Sequence, residues 1–430
     1  MAEASAPRSR RKWARLKPGG NLWRHGDFLH LWFSDTVSQF GNQFTGLALP
    51  FLAVLTLKVT PFELGLLPTL AFLPYPTMGL FVGVMVDRSR RRRIMVLCNV
   101  GRMLTLGSIP VTAFLGDLSL LQLYAVSLIN GIFSVFFDVA YQSYLPSLVD
   151  RGDLIEGNQK LQVSASGASV AGPGLAGIVY QVLGAAATIT FDAVGYLASV
   201  VSLGTIKKKE PRPAPAQGDP KPSFVREMRE GVKVVIGNPI LWTVAGSTAT
   251  SNFGTNIAAP MTTYFALNTL GLTPEALGFV GTVGAVGFLL GVLMSGRFTA
   301  RLGLGMSLAV SIFAGGLVFL TPLALYGYAF FVLASISFVT GFMVAPYNIN
   351  AVSLRQAITP NRLQGRMNAT TRAIVWGTIP VGSFLGGVLG ETIGIVDTLI
   401  LGGVVAMAAA AWILLGPVAK IRAQPEPIPD

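Results

Sequence analysis

Long apolar stretches follow one another along nearly the whole chain, and short polar or charged segments separate them. Each stretch is close to the about 20 residues that a helix needs to cross a bilayer, whereas the strands of a membrane barrel run to about ten. The pattern therefore predicts an all-α membrane protein with twelve transmembrane helices. Their predicted bounds are 31–57, 63–86, 94–115, 120–145, 160–183, 188–206, 239–267, 276–296, 305–322, 328–350, 367–389 and 395–417.

The composition supports a membrane location and excludes several classes of site. Hydrophobic residues make up 52% of the chain and charged residues 12%, against about 25% charged in a soluble domain. One cysteine, Cys98, excludes a disulfide framework, and no cluster of ligands suggests a metal. Both histidines, His25 and His30, precede the first apolar stretch, so no histidine-based catalytic site is expected in the spans. We expect no cofactor and no enzymatic activity.

Lysine and arginine fall almost entirely in alternate polar segments. Of the 32 such residues, only Lys58 and Arg102 lie elsewhere. Because these residues accumulate in cytoplasmic loops, the pattern predicts that both termini are cytoplasmic and that the protein crosses the inner cell membrane many times. The net charge of +12 then follows from topology, so no nucleic-acid partner is expected.

Residues 207–238 form the only long polar stretch inside the chain. Near its end Phe224, Met228, Val232 and Val235 repeat at helical spacing, which predicts an amphipathic helix. That helix either lies on the inner membrane surface or packs on protein. The predicted domains are a basic cytoplasmic tail (1–30), an N-terminal six-helix bundle (31–206), the cytoplasmic linker (207–238), a C-terminal six-helix bundle (239–418) and a second cytoplasmic tail (419–430).

The two halves resemble each other. Glu63-Leu64-Gly65, at the start of span two, corresponds to Ala276-Leu277-Gly278, at the start of span eight. The same offset places Gly83 on Gly296. Two pseudo-symmetric six-helix bundles are typical of carriers that bind their substrate near the bilayer midplane, between the repeats.

Two motifs carry a resemblance to a known family. Gly83-Val84-Met85-Val86-Asp87-Arg88-Ser89-Arg90-Arg91-Arg92 resembles the Gly-x-x-x-Asp-Arg-x-Gly-Arg-Arg/Lys loop signature of the major facilitator superfamily, with Arg90 in place of the second glycine. Gly172-Pro173-Gly174-Leu175-Ala176-Gly177 resembles the antiporter signature Gly-Pro-x-x-Gly-Gly of that superfamily. More narrowly, Phe137-Asp138 and Leu363-Gln364-Gly365-Arg366 are similar to the drug- and siderophore-exporting branch, which includes enterobactin exporters and macrolide efflux proteins.

The resemblance implies a cytoplasmic gate, in which Asp87 lies against the start of span eleven. Free backbone N–H groups and Arg366 would favour a carboxylate there. Alternatively, Asp87 only neutralises the arginines beside it. The gate residues implied are Gly83, Asp87, Arg88, Arg91, Arg92 and Arg366.

The antiporter signature has a mechanical interpretation. Proline removes a backbone donor, and glycines permit either bending or close helix contact. Close packing without any part in exchange is equally compatible with the sequence. The residues concerned are Gly167, Gly172, Pro173 and Gly177.

Charges inside spans cost about 2.5–3.5 kcal/mol on insertion scales, so they are candidates for function. Arg102 and Asp138 lie at similar depth on consecutive spans, which predicts a pair that holds and releases a proton on Asp138, or a permanent structural ion pair. Asp35 lies about one turn inside span one and is expected to reach the cytoplasmic surface. Asp192 lies near the outer end of span six, and its role is open.

In this superfamily spans one, four, seven and ten line the central cavity. Here they carry uncharged hydrogen-bonding side chains among Phe, Met and Leu, which suits a bulky, amphipathic, largely apolar solute. Each could instead hold helices together. The residues are Asn42, Gln43, Tyr141, Gln142, Asn252, Asn256, Tyr347, Asn348 and Asn350.

Together these features predict an exporter that works by alternating access and exchanges protons for a hydrophobic drug, siderophore or secondary metabolite. The chain has no Gly-x-x-x-x-Gly-Lys-Ser/Thr loop, so an ion gradient is the expected driver. The expected partners are a small-molecule substrate, protons and the lipid bilayer, and the expected state is a monomer. The alternatives are an importer on the same fold, a membrane-embedded enzyme and a non-transporting sensor.

Overall fold

A computed structural model describes residues 21–208, 210 and 224–425, and every regular element in that part of the chain is helical. Residues 1–20 of the predicted basic tail, 211–223 of the linker and 426–430 lie outside the described residues. The helices are α1 (Gly26–Phe51), α2 (Pro61–Phe72), α3 (Pro74–Asp87), α4 (Arg91–Leu115), α5 (Leu120–Leu148), α6 (Leu154–Thr205), α7 (Phe224–Gly237), α8 (Pro239–Tyr264), α9 (Pro274–Leu302), α10 (Leu304–Gly315), α11 (Ala329–Ala357), α12 (Asn361–Thr392) and α13 (Ile395–Leu415).

Within the described chain, 8 helical runs are long and apolar enough to cross a membrane. One of them, Leu154–Thr205, has 52 residues, which at about 1.5 Å per residue would extend far beyond a bilayer core of about 30 Å. Gly184 breaks this run with φ 82° and ψ 175°, so α6 is two helices joined at one residue. The predicted span two is likewise divided, into α2 and α3. The count of twelve stays a prediction.

The structure repeats its first two spans at an offset of 213 residues. The 26-residue helices α1 and α8 each continue into a five-residue π-helical turn, Leu52–Thr56 and Phe265–Thr269. The next helix then begins after a threonine N-cap, Thr60 or Thr273, whose side chain accepts a hydrogen bond from the third residue of that helix. Equal local chemistry therefore produces equal local structure in the two halves.

The two ends of the bundle differ in how the halves meet. We call the end at residues 88–93 the basic end, and the end at turns 57–60 and 270–273 the far end. At the far end α2 packs on α12 through backbone: a Cβ added at Gly65 would lie 2.7 Å from the Gly387 Cα. A hydrophobic cluster there also includes Leu267 from the other half. At the basic end of the described chain each half has its own core cluster, so the close backbone contacts between the halves lie toward the far end.

The linker helix α7 packs on protein. Val235 is fully buried, and a Cβ added at Gly231 would lie 2.9 Å from the Arg366 carbonyl oxygen on α12. Arg366 Nη1 also donates to Glu230 Oε2 at 2.7 Å. Of the two positions open for this helix from sequence, the structure therefore favours packing on protein. The side chains of 224–228 lie outside the described part.

Candidate functional site

A cavity of about 420 Å³ lies between the two halves, with walls from α1, α2, α4 and α5 on one side and α8 and α12 on the other. Most of its lining is apolar, from leucine, proline, alanine, valine and phenylalanine. The polar lining residues are Asn42, Thr45, Ser127, Asn130, Asn256, Thr263 and Ser383.

Three of these polar residues have a buried atom without a hydrogen-bond partner in the described chain: Ser127 Oγ, Asn130 Oδ1 and Ser383 Oγ. An unsatisfied buried polar group costs about 1–3 kcal/mol. Such atoms are expected to bind a ligand or water when the cavity is filled. The cavity thus combines an apolar wall with a few converging hydrogen-bonding groups, which is how small-molecule sites are generally built.

The lining differs from the sequence prediction. Asn42 and Asn256 line the cavity as predicted. Of the other candidates, Gln142 and Asn348 are exposed at other positions, and Gln43 packs so close to Gly172 that an added Cβ would lie 2.6 Å from its Cγ.

The remaining predicted lining residues hold helices together. Tyr141 stacks on Phe137 of its own helix, α5, with 5.9 Å between ring centroids, and its hydroxyl interacts with Asp35 of α1. Asn252 Nδ2 donates to the Val375 carbonyl at 3.4 Å. The Tyr347 hydroxyl and Thr248 Oγ1 are 2.6 Å apart. Asn350 Nδ2 donates to Thr299 Oγ1 at 2.8 Å and to Ser307 Oγ at 3.1 Å.

Ser127 and Asn130 were missed because the sequence alone does not determine which face of α5 meets the cavity. A local signal was present in Asn130-Gly131. The α5 backbone approaches α2 so closely at Gly131 that an added Cβ would overlap the Ala71 carbonyl oxygen. This contact brings Asn130 to the cavity wall.

Arg102 does not form the predicted ion pair. Its side chain is 3% exposed, and its guanidinium carbon lies 4.8 Å from the Phe137 ring centroid and 5.4 Å from that of Tyr196. No ion pair joins it to Asp138 in the described chain, and its Nε has no hydrogen-bond partner there. The equal depth predicted from sequence did not imply contact, because two aromatic rings pack against the guanidinium.

Asp138 instead connects to the other half of the molecule. Tyr75 Oη donates to Asp138 Oδ2 at 2.9 Å. The Tyr75 ring packs edge-on against Trp376 of α12, with 5.0 Å between centroids, and the Arg372 guanidinium lies 4.4 Å over Trp376. Sequence reasoning missed Tyr75, Trp376 and Arg372, because nothing in the local pattern marks a contact between α3 and α12.

Asp35 is buried, which corrects the expectation that it reaches the surface. It is 3% exposed and accepts a hydrogen bond from Gln39 Nε2 at 3.5 Å. The helix begins at Gly26, five residues ahead of the predicted span, so Asp35 lies deeper than one turn.

Asp192 is also buried, at 1% exposure, and faces α1. Thr45 Oγ1 donates to Asp192 Oδ2, while Asp192 Oδ1 has no partner in the described residues. The carboxylate occupies the space that a side chain at position 41 would fill: a Cβ added at Gly41 would lie 2.9 Å from Asp192 Cγ. Because Thr45 lines the cavity, Asp192 lies directly behind its wall.

The predicted gate arginines tie α4 to the end of α6. The backbone N–H groups of Arg91 and Arg92 donate to the Glu210 carboxylate at 3.0 and 3.3 Å, and Arg91 Nη1 lies 3.4 Å from Glu210 Oε1. Arg88 is exposed, and an added Cβ at Gly83 meets nothing within 4 Å. The Asp87 side chain lies outside the described part, so its contact with α12 stays a prediction.

The Gly-Pro segment packs α6 against α9. Gly174 N donates to Thr282 Oγ1 at 3.0 Å, and a Cβ added at Gly281 would lie 3.0 Å from Pro173 Cβ. A Cβ at Gly177 would lie 2.8 Å from the Pro274 carbonyl oxygen. Gly167 has no atom within 4 Å of an added Cβ and takes no part in this contact.

Comparison with known proteins gives a family match and several relatives. The model of the Major Facilitator Superfamily matches residues 31–254. Macrolide efflux protein A of Streptococcus pyogenes is 25% identical over 404 residues, which cover 91% of this chain and 95% of the relative. The multidrug efflux pump Tap of Mycolicibacterium fortuitum is 25% identical over 88% of this chain and 92% of its own length.

A further relative and a solved structure agree with these matches. The enterobactin exporter EntS of Citrobacter koseri is 24% identical, covering 82% of this chain and 83% of the exporter. A bacterial homologue of the iron transporter ferroportin, solved in an inward-facing state, superposes with a TM-score of 0.71 over 92% of this chain and 99% of that chain, at 16% identity. That likeness concerns the fold alone.

Proposed function

This chain belongs to the Major Facilitator Superfamily and is a multi-pass transporter of the cell membrane, and we propose that it exports a bulky, largely apolar small molecule in exchange for protons. The main support for this proposal is the cavity between the halves, whose apolar wall contains the three unsatisfied polar atoms of Ser127, Asn130 and Ser383. Relatives named for macrolide, multidrug and enterobactin efflux support this substrate class and direction.

The proposed topology has twelve spans with both termini in the cytoplasm. The eight long apolar runs become twelve spans when α6 is counted as two helices at Gly184 and when α1, α8 and the divided pair α2 and α3 are each added as one span. The basic residues at one end of the bundle support a cytoplasmic position for that end. Single cysteines in place of Asp117 and Gly271 should then react with an impermeant reagent from outside, and one in place of Arg90 only after permeabilisation.

In this topology the molecule is closed on its outer side and ready to receive substrate from the inner side. The α2–α12 and α6–α9 backbone contacts lie toward the far end. Alternating access requires these contacts to separate while the basic end closes.

Asp138 is the proposed coupling group, because it lies between two cations from different halves. Arg102 of its own half and Arg372 of α12 both interact with it electrostatically, although neither is in ion-pair contact in the described chain. Loss of its proton creates an anion that attracts Arg372 and draws α12 towards α5, which closes the basic end. Reprotonation from outside weakens that attraction and allows the basic end to open again. This order of events exchanges one outgoing substrate for incoming protons.

The test is transport in proteoliposomes. An imposed pH gradient should drive accumulation of a fluorescent amphipathic cation or a macrolide, and Asp138→Asn should abolish gradient-driven movement while the variant still binds the compound. Asp117→Asn changes an exposed carboxylate at the far end and is the matched control, with normal transport expected.

Two results would contradict the proposal in different ways. Gradient-driven transport that survives in Asp138→Asn would reduce this carboxylate to a structural role. Movement of the compound in the same direction as the protons, instead of opposite to them, would identify an importer on the same fold.

A further inference from the structure

A second cavity, of about 780 Å³, lies on the outer surface of the N-terminal half at the basic end. It is formed between the start of α4 and the end of α6, and it shares no lining residue with the central cavity. Four basic residues surround it: Arg90, Arg92, Arg93 and Lys208.

Two of these basic residues, Arg92 and Lys208, bond backbone carbonyls and so stabilise the fold. Arg92 Nη1 and Nη2 donate to the carbonyls of Ile206 and Gly204 at 2.6 and 2.5 Å, so Arg92 caps the end of α6. Glu210, the one acidic lining residue, accepts from the backbone at the start of α4. Lys208 Nζ donates to the Leu148 carbonyl at 3.0 Å.

The other two arginines are not used in this way. Among the described residues, neither Arg90 nor Arg93 has a side-chain hydrogen bond or an ion pair. The pocket therefore holds two uncommitted guanidinium groups as well as the remaining N–H bonds of Lys208. Guanidinium forks match the geometry of phosphate oxygens.

Below the charges, towards the far end, the same surface becomes apolar. Val96 and Leu97 line the pocket, and Leu97 is 67% exposed. Two turns further along α4, Leu104 is 63% exposed. A soluble anion would gain nothing from this apolar track, whereas an amphiphile would place its phosphate among the cations and its chains along the helices.

We propose that this pocket binds the headgroup of an anionic phospholipid, with the acyl chains lying along α4 and α6. Basic pockets between helices at the cytoplasmic membrane surface are suited to anionic headgroups, because each cation adds attraction to the negative charge. The bound lipid stabilises the contact between the start of α4 and the end of α6. The site is separate from the transport cavity, and the proposal holds whichever solute is carried.

The first test measures lipid retention by native mass spectrometry of the purified full chain. Phosphatidylglycerol should be retained roughly tenfold more than phosphatidylcholine of the same acyl chains, as expected from the loss of one or two favourable charge contacts. Arg90→Gln with Arg93→Gln should remove the preference. Arg297→Gln with Arg301→Gln removes the same charge from exposed positions of the other half and should leave it intact.

A soluble anion is the competing occupant, and thermal stability distinguishes the two. Phosphatidylglycerol should raise the melting temperature of the wild-type protein, while inorganic phosphate at the same concentration should not. Equal stabilisation by phosphate, or equal retention of the two lipids, would overturn the lipid assignment.

A second variant keeps the proposal testable if the double arginine variant does not fold. Leu97→Trp places a fluorophore in the proposed chain track, and Leu293→Trp places one at a 74% exposed position in the C-terminal half. Phosphatidylglycerol with brominated chains should quench position 97 more than brominated phosphatidylcholine does, with no such difference at 293. Equal quenching by the two lipids at position 97 would refute the site.

Discussion

The two halves share a helix plan but differ in where they keep charge. Asp35, Arg102 and Asp192, the fully buried charged residues of the described chain, all lie in the N-terminal half. At the offset of 213 residues, the position of Asp35 on α1 is Thr248 on α8, which bonds the Tyr347 hydroxyl instead. The two halves therefore share their backbone packing, but the buried charged residues of the described chain lie on one side of the cavity.

This difference suggests that the two halves have different roles. The N-terminal half holds groups whose charge can change or be compensated, whereas the C-terminal half offers neutral hydrogen bonds such as Asn350 to Thr299. Next to Asp138, the described contact with the other half is Tyr75 with Trp376, so a charge change at that carboxylate would reach α12 through this ring pair. Four experiments test this comparison, from the largest expected effect to the smallest.

Arg102→Met should cause the largest loss of stability. Arg102 interacts electrostatically with both Asp138 and Asp192, and removing one partner of a buried charge group costs about 3–5 kcal/mol. The melting temperature in detergent should fall strongly and recover in part when Asp192→Asn is added, because fewer uncompensated charges remain. Arg301→Met, in the other half and exposed, should change stability by less than about 0.5 kcal/mol. Equal melting temperatures for both single variants would remove the asymmetry.

Gly41→Ala and Gly254→Ala test the equivalent glycines of α1 and α8. Each substitution should lower the free energy of unfolding by about 1–3 kcal/mol, because it overpacks a close helix contact. At Gly41 the added methyl meets the Asp192 side chain, while at Gly254 it meets backbone, 2.5 Å from the Gly402 carbonyl oxygen. Asp192→Ala should therefore rescue the melting temperature of Gly41→Ala and not that of Gly254→Ala. Gly167→Ala, with open space around it, is the control and should be tolerated. If Asp192→Ala restored the melting temperature of both glycine variants, its effect would come from a general change in helix packing and not from the space next to Gly41.

Tyr75→Phe and Tyr347→Phe each remove one phenol hydrogen bond, worth about 1 kcal/mol. Tyr75 bonds Asp138, and Tyr347 bonds Thr248. Only Tyr75→Phe should alter the pH dependence of transport in proteoliposomes, whereas Tyr347→Phe should lower the melting temperature slightly and leave the pH profile unchanged. A changed pH profile in Tyr347→Phe would place proton coupling in both halves.

The smallest effect concerns Asp27, ahead of the first predicted span. Burial would raise the pKa of this carboxylate, but hydrogen bonds from the backbone N–H groups of Lys207 and Lys208, at 2.8 and 2.9 Å, outweigh it and lower the pKa. Its contribution to stability is thus present above the ordinary pKa of 3.8 and is lost as the pH falls through the lowered value. The small difference in melting temperature between wild type and Asp27→Asn should persist at pH 5 and fade below about pH 3.8. At the same offset the C-terminal half has Ile240, so Ile240→Val should show no such pH dependence.

Much of the helical plan could be predicted, because run length and turn residues act locally. Thr60-Pro61 and Thr273-Pro274 each start a helix, and the repeat between the halves is visible in both sequence and structure. Burial of Arg102 and Asp192 could also be expected from their position within long apolar runs.

The partners of these residues could not be predicted, for a geometric reason. Position along a helix gives depth in the bilayer, but contact also depends on rotation about the helix axis and on which helix lies next to it. Arg102 and Asp138 were predicted at equal depth, yet Arg102 faces aromatic rings and Asp138 faces Tyr75. The cavity wall depends on helix crossings in the same way, which is why Ser383 and Asn130 line it and Asn350 does not.

The one-residue break at Gly184 has a consequence for how the chain is made. Between Lys160 and Asp192 the sequence contains no charged residue, and the two helices of α6 are joined at Gly184 without a polar loop. In the proposed topology these two helices would leave the translocon together as a hairpin, because no hydrophilic segment has to be carried across the membrane. A short charged loop inserted after Gly184 would have to be carried across the membrane. The two helices would then be expected to insert one after the other instead of together.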